Sequence, residues 1–184
     1  GANNGTISEC CNFGQISGAT YVGGITSYSD EGNIIRNCFN GGAVSATAEY
    51  AGGIAGAFMT TVPNTIENCY NYGAVTSPSS AAAICAYAGA SDIFTNNHFD
   101  QQTSGASDSH ATGQNTATMT GSSFAATLNS TTATCWIEDA LSINNNYPVF
   151  GWLTNSDIEY QPWIGEKPLI WSTENNIVIQ FTKP

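Results

Sequence analysis

The residues of this 184-residue chain that could do chemistry are its cysteines, its few carboxylates and its two histidines. Three of the six cysteines, Cys10, Cys38 and Cys69, recur in one motif, Ile-x-x-Cys-x-Asn-x-Gly. Repeated cysteines could bind a metal or form disulfides. No Cys-x-x-Cys occurs, Cys11, Cys85 and Cys135 are scattered, and adjacent Cys10 and Cys11 should point to opposite faces. Structural zinc needs four converging ligands, so the pattern argues against it, and neither metal nor cofactor is expected. Glu9 and Glu67 read as sharing a register, with Asn37 one coil from each. That would place them about 10 Å apart, within the spacing of inverting glycosidases, but two ordinary solvated carboxylates are the favoured reading. Arg36 is the one cation in the repeats to neutralise an acidic substrate. His98 and His110 have no Ser or Cys motif beside them, and Asp30-Glu31-Gly32-Asn33 lacks the alternating ligands of a calcium loop. No catalytic residue is predicted.

The spacing of the motif dictates the elements that position these residues. Ile7, Ile35 and Ile66 start its copies, 28 and 31 residues apart. Each copy has a second half: Tyr21-Val22-Gly23-Gly24-Ile25, Tyr50-Ala51-Gly52-Gly53-Ile54, then Ala81-Ala82-Ala83-Ile84. A degraded fourth copy begins near Phe94. A unit of about thirty residues with short β-prone pieces and Gly or Asn corners suits one coil of a parallel β-helix. It is too glycine-rich and broken for helical repeats. Stacked coils predict inward columns of Ile7/Ile35/Ile66, Ile16/Val44/Val75 and Ile25/Ile54/Ile84. The same register predicts a column of reduced thiols at Cys10, Cys38 and Cys69. Asn12, Asn40 and Asn71 should form an amide ladder. Gly14, Gly42 and Gly73 are expected to give the turn its backbone freedom. The Gly-Gly pairs mark a corner or close approach, and Ala82-Ala83 shows that positive φ is not obligatory there.

An outward column follows the thiols: Cys11, Phe39, Tyr70 and His98, with Phe13 and Tyr72 two positions on. Exposed aromatic faces can stack on sugar rings, or simply on each other. Phe39, Tyr70, Tyr72 and His98 are therefore the candidate glycan-binding stripe.

Residues 1–105 form the repeat region in this reading. Residues 106–152 form a capping region, with a short helix near 120–129 that buries Phe124 and Leu128 and serves as a lid over the open end. A closing strand follows Asn146-Tyr147-Pro148. Residues 153–184 are a terminal hairpin or the start of a further domain.

Charged residues are only 9 % of the chain, and 14 acidic side chains face three basic ones, a net charge of −11. Nucleic acid and anionic membranes need cations, so both are excluded as partners. No apolar run approaches membrane-spanning length. The start lacks a signal peptide, and the first repeat begins so near Gly1 that a longer parent protein is expected.

The segments Ile66-Glu67-Asn68-Cys69-Tyr70-Asn71-Tyr72-Gly73-Ala74-Val75 and Tyr50-Ala51-Gly52-Gly53-Ile54-Ala55-Gly56 resemble GLUG-motif repeats of bacterial cell-surface and adhesin-like proteins. Such repeats also occur in non-catalytic regions of some immunoglobulin A proteases. Asn96-Asn97-His98-Phe99-Asp100 and the stretch from Leu128 through Trp136 to Val149 resemble the close of such domains. The resemblance spans roughly residues 5–152. It implies an all-β, right-handed parallel β-helix-like solenoid of three to four coils. It also implies a non-catalytic scaffold or adhesion module, extracellular or at the cell surface, with a glycan or host protein as partner. A polysaccharide-degrading β-helix enzyme is the competing class.

Overall fold

The computed structural model describes residues 5–29, 32–59, 61–129, 134–153, 170–173 and 176–179. Short runs of two to four residues alternate with corners, and every coil takes the same path through five parallel sheets. The first coil holds β1 (Thr6–Ser8), β2 (Cys11–Asn12), β3 (Ile16–Gly18), β4 (Tyr21–Gly23) and β5 (Thr26–Ser29). The second holds β6 (Ile34–Arg36), β7 (Phe39–Asn40), β8 (Val44–Ala46), β9 (Tyr50–Gly52) and β10 (Ala55–Phe58). The third holds β11 (Thr65–Glu67), β12 (Tyr70–Asn71), β13 (Val75–Thr76), β14 (Ser80–Ala82) and β15 (Cys85–Tyr87). A fourth begins with β16 (Ile93–Thr95) and β17 (His98–Asp100). The fold is thus a parallel β-solenoid of about three turns.

Register follows the repeat: Ile7 pairs with Ile35 and Ile35 with Ile66, while Ile16 pairs with Val44 and Val44 with Val75. These columns fill two interior clusters, one around Ile35, Ile54, Ile66 and Ile84 and the other around Val22, Val44, Ala51 and Val75. Cys38 and Cys69 lie fully buried in the first, with Cys10 packed against it, and all six cysteines are unpaired thiols. Burial in an apolar interior raises the Cys38 thiol well above its usual range, so Cys38 behaves as a small hydrophobe.

Amides lock the stack. Asn12 Nδ2 donates to Asn40 Oδ1 at 2.7 Å, and Asn40 Nδ2 to Asn71 Oδ1 at 2.8 Å. A second ladder, not anticipated from the repeat, joins Asn33, Asn64 and Asp92. Asn33 N donates to Asn64 Oδ1 at 3.0 Å, and Asn64 N to Asp92 Oδ1 at 2.8 Å.

The corners differ from expectation in one respect. The left-handed residue of each coil is not the motif glycine but the residue just before the thiol column: Glu9 (φ 51°), Asn37 (53°), Asn68 (53°) and Asn96 (52°). Asparagine tolerates that region better than most side chains, which explains its recurrence there. Gly42 and Gly73 are needed for proximity instead. A Cβ on Gly42 would sit 1.9 Å from the Gly14 carbonyl oxygen, and one on Gly73 2.0 Å from that of Gly42. The Gly-Gly pairs have ordinary φ, and a Cβ on Gly53 would meet the Ala83 carbonyl oxygen at 2.1 Å. Ala83 itself is tolerated because it belongs to the last full coil, where a loop stands in place of the next one.

That loop, residues 101–111, closes the C-terminal end. Ser104 O and Ser107 O accept from Val75 N and Ala83 N. Asp108 Oδ2 accepts from Ile84 N (2.9 Å) and Cys85 N (2.8 Å). In the coil below, the Ile84 carbonyl accepts the two corresponding donors, Ile54 N and Ala55 N. One carboxylate oxygen thus imitates the carbonyl of a missing coil. Then β18 (Thr112–Gln114) adds a fifth strand beside β17.

The capping region has two short helices, α1 (Thr116–Met119) and α2 (Phe124–Leu128), and an antiparallel pair, β19 (Trp136–Ile137) with β20 (Val149–Phe150). Phe124 and Leu128 are buried as expected, but not over the end of the solenoid. The region lies along its flank, against the outer face of β2, β7, β12 and β17. Past Leu153, the described residues form an antiparallel pair of β21 (Ile170–Thr173) and β22 (Asn176–Ile179), with Ile170 opposite Ile179. Asp30, Glu31, Trp163 and Phe181 lie outside the described residues.

Candidate functional site

The outward aromatic column exists in the expected register, Cys11 beside Phe39, Phe39 beside Tyr70 and Tyr70 beside His98. As a glycan-binding stripe it is overturned. Phe39 and Tyr70 are 0 % exposed and His98 5 %, because the capping region covers them. The rings of Phe39 and Tyr70 stack at 5.1 Å, and Trp136, Phe150, Phe124 and Tyr147 pack over them. The cap reads the column by polar contacts as well. Tyr70 Oη donates to Pro148 O and accepts from Asn144 Nδ2 at 2.8 Å. Tyr72 is partly buried; its hydroxyl donates to Asn144 Oδ1 at 2.6 Å and its ring stacks on Tyr147 at 4.1 Å. Asn144 is held in turn by Asp139, whose carboxylate accepts from the backbone of Ile143, Asn144 and Asn146.

His98 meets the edge of Phe124, and its Nε2 faces Asn96 Oδ1 at 2.9 Å, while Nδ1 is buried without a partner. Burial pushes its pKa down to about 4, so it is a neutral packing residue at neutral pH. Asn96 Nδ2 donates to Thr127 O and Leu128 O, which ties the end of α2 to the fourth coil.

The carboxylates do not assemble as expected either. Glu67 pairs with Arg36, and Arg36 with Ser8, so Glu67 and Glu9 occupy different registers. Glu9 sits one position later, in the left-handed corner, and accepts from Trp152 Nε1 at 2.8 Å. Asp100 is buried, accepting from Tyr147 Oη at 2.6 Å and Gln102 N at 2.8 Å. His110 stacks on Phe94 and pairs with Asp108, whose other oxygen is the carbonyl mimic. Among the described residues no three His, Cys, Asp or Glu side chains are grouped to hold a metal.

A different aromatic group remains at the surface. Tyr21, Tyr28, Tyr50 and Tyr87 lie where the sheets of β4–β9–β14 and β5–β10–β15 converge. Tyr21 and Tyr50 stack at 5.8 Å and 14°; Tyr28 joins Tyr21 at 5.7 Å and Tyr87 joins Tyr50 at 5.4 Å. Tyr21, Tyr28 and Tyr50 are half-buried and Tyr87 is 42 % exposed. The repeat carried a signal for them: tyrosine opens the second half of two copies, and Tyr28 and Tyr87 each follow an inward Ile by three.

No family model matches the chain, and no curated protein matches it. Among solved structures, a Bacteroides ovatus protein described as a candidate immunoglobulin A1 protease superposes with a TM-score of 0.61 at 21 % identity. The alignment covers 81 % of this chain and 48 % of that one, so this chain spans about half the length of its structural neighbour. At that identity the likeness is one of fold: this chain shares the β-solenoid architecture of a bacterial protein.

Proposed function

We propose that the chain is a non-catalytic presenting module of a larger bacterial surface or secreted protein, of the GLUG-repeat type. One observation carries the reading: among the described residues, the buried acids, Glu9 and the buried histidine are spent on structure. Asp100, Asp108 and Asp139 each bind backbone N–H groups, Glu9 receives Trp152, and His98 is sealed under the cap. A rigid stack with small variable outer positions suits presentation of a surface to glycans or host proteins. Extracellular placement accords with the resemblance of the repeats and with the low, acidic charge. The test is incubation with a panel of polysaccharides and assay for new reducing ends. None is expected, and release that survives substitution of contaminant-sensitive controls overturns the reading in favour of a β-helix hydrolase or lyase.

A further inference from the structure

We propose that Tyr21, Tyr28, Tyr50 and Tyr87 form a platform for a short, uncharged glycan. The inference rests on the non-catalytic presenting role above and names its surface and ligand class.

The four rings make one continuous chain, Tyr28–Tyr21–Tyr50–Tyr87, across three coils. Register explains the zigzag. Tyr21 pairs with Tyr50 and Tyr50 with Ser80, while Tyr28 and Tyr87 flank the small Ala57. Three coils span about 10 Å along the stack, the length of two or three sugar rings.

Beneath this chain the solenoid has almost no interior. A Cβ on Gly56 would lie 2.7 Å from Val22 N, and one on Gly23 1.9 Å from Thr26 O. The backbones of two sheets nearly touch, so these tyrosines fill no core, unlike Phe39 and Tyr70. None of the side-chain hydrogen bonds formed among the described residues uses their four hydroxyls. The rings cover one another's facing sides, so the surface offers ring edges, the more exposed ring of Tyr87 and phenol hydroxyls that can exchange hydrogen bonds with sugar hydroxyls.

Charge and area select the occupant. Glu49, exposed, directly precedes Tyr50, and the one basic residue among the described coils, Arg36, sits in the different sheet of β1–β6–β11–β16. A uronate or sialate would find a carboxylate and no counter-charge. At the observed exposure the four rings offer no more than about 400 Å². A stable protein interface takes about 800 Å² from each partner, so the patch alone is too small for a second copy. The rings stack on one another and leave no slot between them for a proline side chain, which disfavours a proline-rich peptide.

The test uses the full 184-residue chain on an array of neutral oligosaccharides (glucans, mannans, xylans, galactans) with matched uronate- and sialate-bearing ones. Any neutral ligand found is then titrated calorimetrically against the wild type, Tyr87→Ala and Tyr50→Ala. Neutral glycans are expected to bind, and Tyr87→Ala to weaken binding about tenfold, the contribution of one stacked ring. Its unfolding midpoint should stay near that of the wild type, because Tyr87 lies at the exposed end of the chain of rings. Binding of charged glycans alone, absence of neutral-glycan binding, or affinity unchanged in both variants overturns the platform. New reducing ends would sink the non-catalytic reading instead, so the two failures are distinguishable.

Discussion

Two columns run side by side down the same coils and are buried by opposite means. Cys38 and Cys69 face inward, and Phe39 and Tyr70, one residue later, face outward; all four are 0 % exposed. The inward column is covered by its own repetition, since every coil supplies the floor of the next. The outward column is covered by residues from 116–129 and 134–153, which share nothing with the repeat. A solenoid therefore makes its own inside. A second core on its flank has to be brought by unrelated chain, and it depends on particular contacts rather than on periodicity.

If that difference is real, the flank should fail at single residues and the interior more gradually. Tyr70→Ala should have the largest effect. It empties the centre of the seam and strands Asn144, and about 4 kcal/mol of stability should be lost in urea unfolding. Near-UV circular dichroism should lose the signal of the packed aromatics, while far-UV β signal at low urea persists. Simultaneous loss of both would contradict a separable flank.

Within the interior, position in the ladder should set the cost. Asn40→Ala removes the partner of both Asn12 and Asn71 and should cost about 2–3 kcal/mol. Asn12→Ala breaks one rung at the ladder's end and should cost about 1 kcal/mol. Equal losses would show that the rungs do not act as a stack. At the C-terminal end, Asp108→Ala leaves Ile84 N and Cys85 N without their acceptor and should cost about 2 kcal/mol. Hydrogen exchange should quicken at those two amides and scarcely change in the first coil.

A last effect is a pH dependence that arises in the seam. His98 has a folded pKa of about 4 against 6.5 in a free chain. Between those values the unfolded chain binds the extra proton, so stability should fall as pH drops from 6.5 towards 4 and this contribution should level off below. His98→Gln should flatten that part of the profile. An unaltered profile would mean that other groups produce it.

Much of the interior was legible from spacing. Three aliphatic columns, the thiol column and the Asn12/Asn40/Asn71 ladder all follow from aligning the copies, because stacking converts sequence register directly into contact. The same alignment also separates Glu9, beside Asn37 and Asn68, from Glu67, beside Arg36, so their expected shared register was a one-residue misalignment, and in a strand such an offset changes both face and neighbour. Two features were not legible in that way. The left-handed corner falls on Glu9, Asn37, Asn68 and Asn96 rather than on the motif glycines, whose role is to admit a neighbouring carbonyl. The ladder through Asn33, Asn64 and Asp92 was hidden because it runs through the variable connection between copies.

By itself, then, the sequence determined a stacked parallel β architecture and the identity of its inward columns, since a repeat fixes whatever lies between equivalent positions. It marked one set of outward aromatics, Phe39 with Tyr70, and showed Tyr21 and Tyr50 only as a recurring residue at the start of the second half of the repeat. Only the tertiary structure decided which of these rings meet water. The capping region docks through Asn144, Tyr147 and Trp136 onto the Phe39–Tyr70 set, and such non-repeating contacts, made across more than sixty residues of chain, leave no periodic trace to read.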